Sequence, residues 1–100
     1  MRYTVIMTLL MVLSTQFSQA QFVTIPDDNF VYWLELNYPE CMDGNQMDTT
    51  CTSIEEAVFM SCYAQDIESF EGLQHFESLG NMDISNNLIT SWPVDFNYQQ

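Results

Sequence analysis

Basic residues are almost missing from this chain. Its 100 residues include one Lys or Arg in total, Arg2, and one His, against 14 Asp and Glu, for a formal net charge of −13. Nucleic acid is excluded as a partner on charge alone, because phosphate binding is driven by Lys and Arg displacing counterions. Anionic membrane surfaces repel such a chain as well. Catalytic options shrink too: one His and no Lys remove most general bases, and a single Arg near the start leaves almost no cation to stabilise developing negative charge. No pocket-forming motif singles out a pair among the carboxylates, so they read as a solvated acidic surface. We therefore expect no enzymatic activity and no cofactor.

A long apolar run is also missing. The stretch from Val5 to Leu13 is interrupted by Thr8 and followed by Ser14, Thr15 and Gln16, whereas a transmembrane anchor needs about 20 continuous apolar residues. Arg2, the apolar stretch and the small residues of Ser18-Gln19-Ala20 instead match the three regions of a signal peptide, residues 1–20, cleaved after Ala20. The residue directly after that point is Gln21 and not Cys, which argues against a lipid-anchored lipoprotein. Cleavage removes the single Arg and leaves Gln21 to Gln100 with a formal charge of −14. The expected destination is the exterior, secreted or at the cell surface, where salt screens such self-repulsion over about 8–10 Å.

What is present is a repeat. Met60, Cys62, Gln65 and Ile67 recur as Met82, Ile84, Asn87 and Ile89, and Ala57 and Phe70 fall on Leu79 and Trp92 at the same 22-residue offset. Leu79 to Ile89 reads L-x-x-M-x-I-x-x-N-x-I, which resembles the leucine-rich repeat (LRR) pattern L-x-x-L-x-L-x-x-N/C-x-L. Ala57 to Ile67 is a worn copy. The resemblance implies a coil per repeat, with Met82 and Ile84 inward on a short strand. Asn87 would satisfy backbone groups of the turn and of the neighbouring coil, as a structural ladder. Gln65 carries the same amide on a longer stem, so the first unit is expected to be distorted.

A cap precedes the repeats. Ile25-Pro26-Asp27-Asp28-Asn29 is a helix-start signature, with Asp27 or Asp28 placed to accept from first-turn amides. Phe30, Trp33 and Leu34 then fall on one helical face, and Pro39 stops a helix expected over about 27–37. That helix would cover the open end of the first coil, giving Trp33 a structural role. Cys41 and Cys51 bracket a Gly-, Asn- and Asp-rich loop with little packing of its own, and a pair this close in an exported protein reads as a disulfide. Cys62, at an inward strand position, reads as a buried small apolar residue.

Ile25-Pro26-Asp27-x-Asn29-Phe30-x-x-x-Leu34, the Cys41 to Cys51 loop, Gly72-Leu73-Gln74-x-Phe76 and Asn86-Asn87 together resemble the amino-terminal region of secreted bacterial LRR proteins. The resemblance implies a binding and adhesion protein at the cell surface, usually longer and often ending in a sorting domain. Residues 1–20 are then signal, 21–56 cap, 57–78 a degenerate first repeat and 79–100 a second. The expected fold class is an α+β or α/β solenoid: capping helix, disulfide loop and two LRR coils with short parallel strands. Two coils fall short of the about three that usually stand alone, so the expectation is an amino-terminal fragment of a longer solenoid, with Trp92, Phe96 and Tyr98 only partly covered.

The binding residues follow from the alternation. With Met60, Cys62, Met82 and Ile84 inward, Phe59, Ser61, Tyr63, Asn81, Asp83 and Ser85 line the concave face, paired as Phe59 beside Asn81, Ser61 beside Asp83 and Tyr63 beside Ser85. A competing reading leaves recognition to later repeats. Asp43, Asn45 and Asp48 offer oxygens near a Gly, loosely like a calcium loop. Their spacing does not fit the twelve-residue template and turn chemistry explains the same letters, so no metal is expected. His75 reads as a surface residue.

The leading expectation is a secreted, non-catalytic protein that binds a protein or glycan partner through this face. Two others are a binding or targeting module of a larger secreted enzyme, and a small stand-alone protein that self-associates through the open edge.

Overall fold

Asp27 sets the first helix and, with it, the entry to the fold. Its side chain accepts from the amides of Asn29 at 2.9 Å and Phe30 at 3.0 Å, two of the donors a helix start leaves unpaired. Helix α1, Asp28–Asn37, follows with Phe30, Val31, Trp33 and Leu34 buried. Pro39 opens a 3₁₀ turn, Pro39–Cys41, directly after it. The structure is a computed structural model that describes residues 20–93, so the signal segment, Ala20 aside, and Phe96 and Tyr98 lie outside the described residues.

Around α1 the chain forms a small α+β fold, and this corrects the expected solenoid. Among the described residues there are two helices and two small sheets. Strands β1 (Phe22–Thr24), β2 (Met42–Asp43) and β3 (Gln46–Asp48) make an antiparallel sheet in the order β1-β3-β2. Helix α2, Thr52–Glu56, leads to β4 (Phe59–Ser61), which pairs in parallel with β5 (Asn81–Asp83). The return from β4 to β5 contains a 3₁₀ turn, Leu73–His75, and Ser69, which makes an isolated parallel bridge to Ser91.

The reason lies in where the core is. In a solenoid each coil contacts its neighbours alone. Here much of the buried core comes from residues ahead of the repeats, among them Ile25, Phe30, Trp33, Leu34, Met47 and Ile54, packed with Met60, Ile67, Phe70 and Phe76 from the later segment. Phe30 meets Phe70 edge-on at 5.1 Å between ring centroids, and Tyr38 joins Trp33 and Phe76 at 5.9 and 5.8 Å. Two three-residue strands are too little ladder to define a superhelix. The mixed core binds them to the amino-terminal sheet instead.

The Cys41–Cys51 disulfide is formed, with Cα atoms 5.6 Å apart. The loop it closes is more than a tether. Gly44, at φ +60°, turns β2 into β3, and Met47 in the middle of β3 is fully buried. Gly72 meets a sharper constraint. At φ +111° it is in a region L side chains rarely adopt, and a Cβ there would overlap Cδ1 of Ile25.

Candidate binding surface

The face of β4 and β5 is built by alternation. Met60 and Cys62 are at 1 % and 0 % exposure, while Phe59 and Tyr63 stand at 61 % and 50 %. Strand register sets Phe59 beside Asn81 and Ser61 beside Asp83, and beyond the strands the Ala64 amide donates to the Ser85 carbonyl at 3.0 Å. Phe59, Ser61, Tyr63, Asn81, Asp83 and Ser85 are all exposed. Three of them, Tyr63, Asp83 and Ser85, are held by polar contacts. Asn86 Nδ2 donates to the Tyr63 hydroxyl at 2.7 Å. Asp83 Oδ1 accepts from the Ser85 amide at 3.1 Å and from its hydroxyl at 2.6 Å, and those bonds hold the carboxyl below the usual carboxylate range.

Behind the face, Asn87 holds the two segments together. Its Oδ1 accepts from the amides of Gln65 and Ile67, both at 3.0 Å, and its Nδ2 donates to the carbonyls of Cys62 and Ile84, both at 2.8 Å. Gln65 does something else. Its side-chain nitrogen folds back to the Tyr63 carbonyl two residues away, at 3.0 Å.

The flank of β4 away from β5 is covered by α1. Trp33 Nε1 donates to the Ser61 carbonyl at 3.0 Å, and Asn29 Nδ2 to the Asp66 carbonyl at 2.9 Å. Asp27 adds the longest-range link: its Oδ2 accepts from Glu68 and Ser69 at 2.9 and 3.1 Å while Oδ1 caps the helix. Sequence reasoning found the cap and missed the second oxygen, since nothing local signals a partner 41 residues away.

The other singled-out residues are elsewhere. Asp48 Oδ1 is occupied by Thr50, whose hydroxyl and amide donate at 2.7 and 2.9 Å, and by the Gln21 amide at 3.3 Å. Asp43 and Asn45 are exposed at the hairpin tip, on the opposite end of β3 from Asp48. Among the described residues one acid-and-cysteine cluster has metal-like spacing, Glu40 with Cys41 and Cys51, and the disulfide has consumed both sulfurs. Burial pushes the Cys62 thiol far up, which withholds the reactive thiolate. His75 borders an open cleft of about 380 Å³ with Phe22, Thr49, Thr50, Glu55 and Glu77. The two threonine hydroxyls there donate to the Gln21 carbonyl at 3.1 Å and to Asp48 Oδ1 at 2.7 Å.

No family model, curated protein or solved structure matches the chain. Two findings bear on its location. The disulfide is compatible with an extracellular setting, and among the described residues no helix is long and apolar enough to cross a membrane.

Proposed function

We propose that this is a secreted or cell-surface protein of the leucine-rich repeat kind in its sequence pattern, non-catalytic, that binds a protein or glycan partner on the exposed face of β4 and β5. The observation that carries the reading is the pair Phe59 and Tyr63. Two large aromatics stand outward beside Met60 and Cys62, which are fully buried, while Met82 and Ile84 opposite them are half-buried, and exposed aromatics on a fixed frame concentrate binding energy. The signal-like residues 1–20 and the disulfide support export.

The test is replacement of Phe59 and Tyr63 by Ala, followed by capture of surface proteins and glycans and by a thermal melt. Partner capture should fall while the melting temperature moves by less than about 3 °C, because neither side chain is in the core. A collapsed transition would assign both residues to the fold.

A further inference from the structure

We infer that the recognition face extends onto α1 and that its occupant is a cationic segment of another polypeptide, docked over Tyr32, Leu36, Phe59, Tyr63 and Asp83. This rests on the β4–β5 face being a binding surface and names its extent and partner class. The extension follows from helix geometry. Asn29, Tyr32 and Leu36 are spaced i, i+3, i+7 and share one stripe of α1. Asn29 and its neighbour Trp33 reach the carbonyls of Asp66 and Ser61, so this stripe borders β4. The core side of the helix is held by Phe30 and Leu34, both at 0 %. The stripe therefore opens away from the core, as the outward side chains of β4 do. Tyr32 and Leu36 are each 63 % exposed, large apolar side chains on the stripe that meets the flank of β4, as Phe59 and Tyr63 are on the strand side.

Charge selects the occupant. From Gln21 onward the chain has 14 carboxylates and no Lys or Arg, so a second copy arrives with the same sign and is repelled, while a basic segment is drawn in. The face is chemically suited to one. Asp83 presents its Oδ2 with no hydrogen bond among the described residues, its other oxygen being held by Ser85. An ammonium or guanidinium can pair with it while lying over the rings of Tyr63, Phe59 or Tyr32. Apolar Leu36 takes the aliphatic stem.

The experiment is titration of the purified protein with a fluorescent peptide of alternating Lys and Ser, read by anisotropy at low and physiological salt, with a Glu and Ser peptide as control. Asp83→Asn and the double variant Tyr32→Ala, Leu36→Ala should each weaken binding by roughly three- to tenfold, and Glu77→Gln, of equal charge change beside the His75 cleft, should not. Equal losses in all three would reduce the effect to net charge and overturn the proposal. If Phe59→Ala and Tyr63→Ala lower affinity but Tyr32→Ala, Leu36→Ala does not, the extension fails and the β4–β5 reading survives. Light scattering that shows a dimer dispersed by Tyr32→Ala, Leu36→Ala would make a second copy the occupant and also overturn it.

Discussion

Replacing Asp27 separates a helix cap from a tertiary staple. One oxygen serves Asn29 and Phe30, the other Glu68 and Ser69. Loss of a cap costs about 1 kcal/mol, and each further hydrogen bond to a charged acceptor contributes about 1 kcal/mol or more net. Asp27→Ala should therefore lose roughly 2–4 kcal/mol. Asp27→Ser can still cap but cannot reach residues 68 and 69, so it should lose only the second part, roughly 1–2 kcal/mol. Urea unfolding separates the two: with a slope near ~1 kcal/mol/M for a domain this small, midpoints should drop by about 2–4 M and about 1–2 M. Hydrogen exchange adds the residue-level view, since Asp27→Ser should expose the Glu68 and Ser69 amides and leave Asn29 and Phe30 protected. If Asp27→Ser matched the wild type, the staple would contribute nothing and the account of the mixed core would lose its main polar link.

Asn87→Ala strips two amides and two carbonyls of their partner and should cost roughly 2–4 kcal/mol in the same assay, whereas Gln65→Ala, losing one local bond, should stay within about 1 kcal/mol. Gly72→Ala combines a positive φ with overlap onto Ile25 and should cost at least about 2 kcal/mol, read as a lower thermal midpoint. The hydrogen bonds from Thr50 hold Asp48 below its ordinary value of 3.8. A depressed folded pKa gives stability that is complete above the unfolded value and drains as pH falls through the folded one. Asp48→Asn should accordingly flatten the acid limb of stability below about pH 4, by a small amount because the group is well solvated.

The parts of the fold legible in the sequence are those written in local chemistry. Asp27 ahead of Phe30, Trp33 and Leu34 states a cap and an apolar face within ten residues, and two cysteines ten apart state a clasp. The antiparallel sheet was illegible because Met42–Asp43 and Phe22–Thr24 are too short to show period-two alternation, and their partners are set by tertiary contact. The solenoid expectation erred in the same direction: the 22-residue spacing describes pairing between two strands and says nothing of how cap residues enter the core. At the candidate site, the outward set on β4 and β5 could be read from alternation. Tyr32 and Leu36 could not, since apolar letters on the far side of an amphipathic helix carry no signal until Asn29 and Trp33 show which flank meets a strand.

Trp33 gives the molecule a built-in optical gauge. The chain has two tryptophans; Trp33 is 7 % exposed and donates to the Ser61 carbonyl, and Trp92 is 38 % exposed. A soluble quencher reaches the second far more readily than the first, so emission that survives quenching reports whether α1 remains seated on β4. Departure of the helix from the strand thus has a colour of its own, distinguishable from the melting of the whole.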